Sequence, residues 1–391
     1  MSAEVAPPTQ PDFVAPAEPM AERRLTGMTL VRRIRGFLHH GLNACGAVIF
    51  LSALSAIPIA NVYVLGYLLE SEGRIANGFR WRDAIPSART MRRGASLVVG
   101  LILFTFPLRL LADFAADAVL IDPDGIVAQR LTGVTVVLSW IVLLYLLLAV
   151  GLGAKPARFF NPIGTLLRGW REIRRGRFVR RASLRMSGFL AALRLRSRFW
   201  LGLRGVFVAW VIFAVPALLL MIDTPQPGPM AVGRFLGAMA LAITLMIQPL
   251  AQARFAARNR WRAAFHITSL WGLFRRAPWS VLLAAIAALL LALPISLLSI
   301  VHVPADVAWI VAPLFVVVAW PARLAAGAAY AVADKRELPG SVWWTVSGIV
   351  LFVPIIFLGV GLLFLVQFVN ADGRLALFEL NSLLLPLPRT R

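Results

Sequence analysis

The sequence carries few side chains in patterns that catalyse reactions or bind metals. Among its 391 residues it has one cysteine, Cys45, and four histidines. It contains no phosphate-binding glycine loop, no Gly-x-Ser-x-Gly nucleophile motif and no His-Glu-x-x-His zinc motif. The neighbouring His39 and His40 would point to different sides of a helix, so they do not form a chelating pair. We therefore predict no enzymatic activity, no catalytic residue, no metal site and no cofactor.

Charged residues inside apolar segments form the candidate polar site of the chain. Arg109 and Asp113 are four residues apart, so they share one face of a helix and can form an ion pair. Arg323 follows Pro321 and has no acidic neighbour in sequence. Because a charge at the centre of a bilayer costs about 2.5–3.5 kcal/mol, Arg323 must find a partner on another helix, reach a carbonyl or a lipid phosphate, or line a hydrated cavity. We rank Arg323 with Pro321 first as a functional polar site, and Arg109 with Asp113 second.

An arginine–tryptophan motif occurs twice, each time in a basic segment between apolar blocks. Its two copies are Arg80-Trp81-Arg82 and Arg260-Trp261-Arg262. Tryptophan is favoured at the depth of the lipid headgroups, and the planar guanidinium of arginine matches a phosphate. These six residues are predicted to lie at the headgroup interface, either as simple anchors or as a specific lipid site. Anionic lipids are therefore the expected partner.

The elements that position these residues are apolar blocks of spanning length. Hydrophobic residues make up 59% of the chain and charged residues 15%, which excludes a soluble enzyme, a disulfide scaffold and a disordered regulator. A helix rises 1.5 Å per residue, so about 20 apolar residues cross the hydrocarbon layer. The sequence predicts an all-α integral membrane protein with about seven transmembrane helices. The seven blocks are 95–121, 131–154, 205–221, 231–250, 281–301, 307–331 and 342–369.

A further apolar block, 43–69, is interrupted by Pro58. Proline inside a helix removes a hydrogen bond and clashes with the preceding turn. The block is therefore either one long kinked helix or a membrane-embedded hairpin of two half-length helices that turns at Pro58. Basic segments flank the block on both sides, which favours the hairpin because its two ends return to one side of the membrane.

The basic residues are distributed unevenly between the connecting segments. Forty Lys and Arg stand against 18 Asp and Glu, for a formal net charge of +22. Segment 154–203 has thirteen Lys and Arg and one acidic residue, whereas 119–129 has two aspartates and no basic residue. Because Lys and Arg favour cytoplasmic segments, we place the N-terminus and the basic segments on the cytoplasmic side of a bacterial inner membrane.

The two halves of the chain resemble each other at an offset near 180 residues, which predicts a parallel internal repeat. Besides the Arg-Trp-Arg motifs, Trp140 recurs as Trp320 and Lys155 as Lys335. The predicted segments are a disordered Pro/Ala-rich tail (1–22), a basic amphipathic helix (23–42), membrane repeat 1 (43–154), an Arg-rich cytoplasmic amphipathic region (155–203), membrane repeat 2 (204–336), the last transmembrane helix (337–370) and a C-terminal tail (371–391).

Two repeats of about three helices, joined by Arg-rich inner loops with interfacial tryptophan, resemble a broad group of bacterial membrane proteins. That group is similar to the membrane-embedded portion of some bacterial glycerophosphodiester phosphodiesterases. The resemblance covers most of Gly36–Val369, but the catalytic domain of those enzymes has no counterpart here. Their activity is therefore not implied for this chain.

The expected function is a non-enzymatic inner-membrane scaffold or transport-associated subunit. Its Arg-rich cytoplasmic face would bind anionic lipid, and other membrane subunits are further expected partners. The alternatives are a small-solute or lipid transporter and a membrane-embedded lipid-modifying enzyme. Nucleic acid is not expected, because the basic residues lie between apolar blocks and basic amphipathic helices on a lipid surface account for them.

Overall fold

The computed structural model describes residues 27–154, 156–159, 161–221, 227–300 and 311–369, and these residues contain helices and no strand. Residues 42–391 form one compact unit, and residues 1–41 form another. The predicted tails 1–22 and 371–391 lie outside the described residues. The helices are α1 Gly27–Ser55, α2 Pro58–Ala76, α3 Ala88–Ile121, α4 Ile126–Gly151, α5 Pro156–Phe159, α6 Pro162–Arg174, α7 Phe178–Leu193, α8 Leu195–Leu220, α9 Pro227–Arg258, α10 Ile267–Arg276, α11 Pro278–Ile300, α12 Val311–Lys335 and α13 Val342–Val369.

Six stretches within the described residues are helical, long and apolar enough to cross a membrane. Five lie in α3, α4, α9, α11 and α12, and the sixth, Phe178–Leu220, comprises α7 and α8. The prediction of an all-α protein with several helices of spanning length is therefore confirmed. Helix α13 is 28 residues long, and its described apolar part, Val342–Pro354, is shorter than a span. The count of seven transmembrane helices remains a prediction.

The helix is interrupted at Pro58, the position at which the sequence predicts a kink or a turn. Helix α1 ends at Ser55 and α2 begins at Pro58. Pro58 occupies the first position of α2, where the missing N–H would have had no partner within the helix. Ile57 has an extended backbone, as the residue before a proline prefers. Block 43–69 thus holds the end of one helix and most of a second, and its course through a membrane remains a prediction.

Helix α2 is the most enclosed element of the bundle. Thirteen of its 19 residues are buried, and it packs against α8, α9 and α12. Glycines permit the closest approaches, since a methyl group at Gly66 would overlap the carbonyl oxygen of Arg198, and one at Gly202 would overlap that of Val62. Small residues allow helix backbones to come together in lipid, where no hydrophobic force drives helices together. Residues Gly66 and Gly202 therefore define the crossing of α2 and α8.

Two apolar clusters share α2 as their common wall. Leu65 and Leu69 pack with Phe255 of α9 in the first cluster. Tyr67 packs with Phe315 and Trp320 of α12 in the second, where the rings of Tyr67 and Trp320 meet edge to face with centroids 6.3 Å apart. A short helix that bears several charges is thus enclosed by apolar neighbours on two sides.

The C-terminal ends of α2, α9 and α12 meet at one end of the bundle. Asn77 Nδ2, just after α2, donates to the Ala257 carbonyl near the end of α9 at 3.4 Å. Arg336 Nη1, just after α12, donates to the carbonyl of Arg276 at the end of α10 at 3.0 Å. These contacts gather the basic segments that follow α2, α9 and α12 into one surface, which we name the basic end.

Candidate functional site

Arg323 is buried in the bundle and pairs with a carboxylate from another helix. Its Nη1 donates to Glu72 Oε2 on α2 at 3.0 Å and to Gln252 Oε1 on α9 at 3.3 Å. The side chains of Arg323 and Glu72 are 7% and 1% exposed. Pro321, two residues earlier on α12, lies exposed and contributes no group to this cluster. We name Glu72, Gln252 and Arg323 the buried polar trio.

The buried polar trio has further hydrogen-bonding atoms that have no partner among the residues that the structure describes. They are Glu72 Oε1, Gln252 Nε2 and Arg323 Nε. An unsatisfied buried polar group costs about 1–3 kcal/mol, so such groups commonly bind a small polar molecule such as water. One acceptor and two donors therefore remain available at the centre of the bundle.

A second buried arginine holds the opposite side of α2. Arg198 is 1% exposed, and its Nε donates to Glu70 Oε2 at 2.7 Å. Its Nη1 donates to the Tyr63 hydroxyl at 2.9 Å and to the Leu193 carbonyl at 2.8 Å. The guanidinium also lies 5.0 Å from the ring centroid of Tyr67, within cation–π range. This dense set of contacts fastens the start of α8 to α2.

The two carboxylates of α2 therefore have separate cationic partners. Glu70 and Glu72 are two residues apart and point to different sides of the helix. Glu70 pairs with Arg198 of α8, whereas Glu72 pairs with Arg323 of α12. In the part of the chain that the structure describes, no group of three or more His, Cys, Asp or Glu could hold a metal ion. The arrangement fixes α2 in place through one buried ion pair, Glu72–Arg323, and one partly buried pair, Glu70–Arg198, whose carboxylate is 16% exposed.

Glu70, Glu72, Gln252 and Arg198 are not among the site residues predicted from the sequence. A signal was present at the same offset of 180 that relates the Arg-Trp-Arg motifs. Glu72 and Arg74 correspond at this offset to Gln252 and Arg254. Because Glu72 corresponds to the amide Gln252, and the arginines two residues later also correspond, both helices have a polar residue at this position.

The other predicted pair, Arg109 and Asp113, is arranged differently. Both side chains are exposed on α3. The structure records no ion pair between them in the residues that it describes, although their spacing places them on one helical face. They are also not joined to the buried polar trio. Helix α3 thus presents these charges on its surface and adds nothing to the polar centre around α2.

The two Arg-Trp-Arg motifs occupy similar local structures. A helix ends, a residue with left-handed backbone follows, and the motif then enters a 3-10 turn. These turns are Trp81–Asp83 after Gly78, and Trp261–Phe265 after Asn259. Trp81 is 59% exposed and Trp261 44% exposed. In the second motif the Arg262 guanidinium lies 5.6 Å from the ring centroid of Trp261. Exposed tryptophans beside arginines are suited to the headgroup interface.

Two adjoining surface grooves flank Trp261, and Trp81 lines neither of them. One has a volume of about 460 Å³ and the other about 640 Å³. They share two residues, Phe207 and Trp261, whose rings meet edge to face at 6.3 Å. The first groove is also lined by Val211, Arg262, Phe265 and His266, and the second by Leu203, Arg204, Val206 and Trp210.

Helices α6 and α7 carry most of the Arg-rich region and are joined by ion pairs. Glu172 on α6 binds Arg181 at 3.3 Å and Arg185 at 3.2 Å, both on α7. The hydrogen bond from Arg185 is the main reason that the pKa of Glu172 lies below its ordinary value. Large apolar side chains are exposed between the arginines of these helices. They are Ile163, Leu166, Leu167, Trp170, Ile173, Val179, Leu184, Met186 and Leu190.

Comparison of the chain with protein-family models, with curated proteins and with solved structures finds no match.

Proposed function

We propose that this chain is a non-enzymatic protein of the bacterial inner membrane, a scaffold or transport-associated subunit whose Arg-rich cytoplasmic face binds anionic phospholipid. The observation that carries the proposal is the basic end, where the segments after α2, α9 and α12 meet. Exposed arginine and tryptophan lie together in these segments, as in the 3-10 turn Trp261–Phe265. Each basic residue near an anionic leaflet contributes about 1 kcal/mol to membrane attraction.

The side of the membrane follows from the charge of the basic end. Lys and Arg favour cytoplasmic segments, so the basic end faces the cytoplasm and the loop between α3 and α4, with Asp122 and Asp124, faces outward. Helices α6 and α7 support the same orientation, because their exposed apolar side chains alternate with arginines in the manner of helices that lie on an anionic leaflet.

A parallel internal repeat accounts for the order of the elements. Helix α2 and its 3-10 turn correspond to α9 and its 3-10 turn at an offset near 180 residues. The left-handed residues Gly78 and Asn259, which end the two helices, support this correspondence. So do Arg74 and Arg254, which precede the two turns by the same distance. The repeat places two similar arginine–tryptophan turns on one surface.

The proposal is tested by measuring which lipids gather around the full chain. The protein is reconstituted in phosphatidylcholine vesicles that contain a small fraction of acyl-labelled lipid, either phosphatidylglycerol or phosphatidylcholine. We expect more energy transfer from the tryptophans to labelled phosphatidylglycerol, with the difference shrinking in 1 M salt because exposed charges are screened. Equal transfer to both labelled lipids at low salt would reject anionic-lipid binding.

The buried polar trio favours a transporter as the second candidate function. Charged residues within membrane helices commonly mark ion or substrate pathways. Proton flux into proteoliposomes is a direct test, because Glu72 is a buried titratable group. The matched variant is E72Q/R323M, which removes both charges together and leaves neither buried alone. This candidate requires that the unmodified protein dissipate an imposed pH gradient and that E72Q/R323M fail to do so; a gradient as long-lived as in empty vesicles would reject it.

A further inference from the structure

We infer that the two grooves beside Trp261 form a binding site for one anionic diacyl phospholipid. One acyl chain lies in each groove, and the phosphate lies between Arg204 and Arg262. The inference rests on the proposed function, because it names the site and the class of lipid through which that function operates. Three features support this inference. They are the polarity of the groove linings, the presence of two grooves side by side, and the charge of the arginines that line them.

Both grooves combine apolar side chains with one arginine, as the binding of a phospholipid requires. Arg204, Phe207 and Val211 follow at spacings of three and four, so they share one face of the helix. Arg198, near the start of α8, is bound to α2 close to the basic end. From Arg204 to Val211 the helix rises about 10 Å away from that end. Arg204 lines the second groove with mostly apolar neighbours, and Val211 lines the first groove, which also contains Arg262, so each groove combines one arginine with apolar side chains.

The division into two grooves matches a lipid with two chains. The rings of Phe207 and Trp261 meet edge to face and form a wall that both grooves share. Phe265 supports this wall from the other side of Trp261, with ring centroids 6.2 Å apart. Chains that leave one glycerol backbone on either side of the wall would each contact an aromatic face. A ligand with one apolar chain would fill half of the site.

The arginine in the lining of each groove complements an anionic phosphate. Arg204 lines one groove and Arg262 lines the other. Arg204 Nε donates to the Trp200 carbonyl at 3.3 Å, and Arg262 lies over the Trp261 ring. Within the described part of the chain neither guanidinium has a carboxylate partner. Two uncompensated guanidinium groups next to apolar grooves favour a lipid with net negative charge over a zwitterionic one.

Native mass spectrometry of the full chain tests the site. The protein is purified in detergent, and phosphatidylglycerol or phosphatidylcholine is added in steps to measure the affinity of the first bound lipid. A basic residue near an anionic headgroup contributes about fivefold to affinity, so R204Q/R262Q should bind the first phosphatidylglycerol about thirtyfold more weakly. The matched control is R80Q/R82Q, which removes the same charge from the motif whose tryptophan lines neither groove. R80Q/R82Q should weaken the first binding step less than R204Q/R262Q does, because Arg80 and Arg82 belong to the basic end but line neither groove.

A second variant tests the apolar part of the site without changing its charge. Val211→Trp fills the first groove with a bulky side chain, and we expect at least a tenfold loss of affinity for the first phosphatidylglycerol. The pair R204K/R262K keeps both charges and should bind nearly as tightly as the unmodified protein. Melting temperatures of all variants establish that they are folded.

The outcomes separate this site from the broader proposal. Equal losses in R204Q/R262Q and R80Q/R82Q would overturn the site, while anionic-lipid binding by the basic end would stand. Unchanged binding in folded Val211→Trp would likewise overturn the site. Equal first-step affinity for phosphatidylglycerol and phosphatidylcholine in the unmodified protein would overturn both the site and the proposed function.

Discussion

The buried ion pair between Glu72 and Arg323 makes the sharpest prediction about stability. Replacing Arg323 by Met removes the cation and leaves the Glu72 carboxylate, which is 1% exposed, without its partner. Breaking a buried ion pair from one side costs about 3–5 kcal/mol, because the remaining charge stays buried and uncompensated. Gln252 is a neutral amide, so its remaining N–H donor cannot replace the lost positive charge. We therefore expect R323M to lose about 3–5 kcal/mol of unfolding free energy.

The double variant E72Q/R323M should recover most of that loss. With both charges gone, no ion remains in the apolar surroundings, and replacement of a buried ion pair by neutral groups is often neutral or stabilising. The matched control is R109M, which removes an exposed arginine of α3 that has no ion pair in the described residues. It should show no measurable loss. The assay is reversible unfolding of the full chain by SDS in mixed micelles, followed by tryptophan fluorescence.

Two results would refute the predicted ion pair between Glu72 and Arg323. If R323M costs no more than R109M, or if the losses in E72Q and R323M add up in the double variant, the two side chains do not interact in the folded protein. The placement of α12 against α2 would then be incorrect at this level of the bundle.

Three further predictions concern packing, a second arginine and pH. Alanine at Gly66 or Gly202 would place a methyl group against the backbone of the facing helix, so G66A and G202A should lower the melting temperature in detergent. The control is G133A, because Gly133 on α4 has no neighbouring atom within 4 Å, and this variant should keep or raise the melting temperature. Lysine cannot reproduce the planar guanidinium of Arg198, which reaches Glu70, Tyr63 and Leu193, so R198K should lose about 2 kcal/mol or more in the SDS assay. Arg194 also pairs with Glu70, at 3.5 Å, but its side chain is 58% exposed and lysine keeps the charge, so R194K should show little change. The lowered pKa of Glu172 means that the carboxylate form stabilises the contact between α6 and α7. This stabilisation is complete above the ordinary glutamate pKa of about 4.3 and is lost as the pH falls through the lower pKa of the folded state. Hydrogen exchange in α6 and α7, corrected for intrinsic rates, should therefore accelerate as the pH falls below about 4.3 in the unmodified chain and show no such step in E172Q.

Features that depend on local order along the chain were predictable from the sequence. Apolar blocks longer than about 18 residues predict helices of spanning length, and the structure has such helices. Pro58 predicts an interruption because it lacks an N–H and restricts the preceding residue, and the helices separate there. The helical tendency of an apolar block and the interruption at a proline both depend on residues that are close in sequence. Both can therefore be predicted from the sequence alone.

Features that depend on contacts between distant segments were not predictable. Glu72 is 251 residues from Arg323, and no periodicity relates the two. Arg198 belongs to a run of surface arginines by composition, yet the fold encloses it. Arg109 and Asp113 show the converse, because their spacing permits an ion pair that their exposed positions on α3 do not form. The type and spacing of residues determine which interactions a side chain could form. The packing of the other helices determines whether those interactions form.

The most direct test of the account is the side of the membrane on which the basic end lies. The native Cys45 is first replaced by Ser, and single cysteines are then introduced as R80C, R180C and D122C. Intact cells are treated with a membrane-impermeant maleimide before and after permeabilisation. The account predicts that D122C is labelled in intact cells and that R80C and R180C are labelled only after permeabilisation. Labelling of R80C or R180C in intact cells would contradict the orientation and, with it, the proposed role of the basic end.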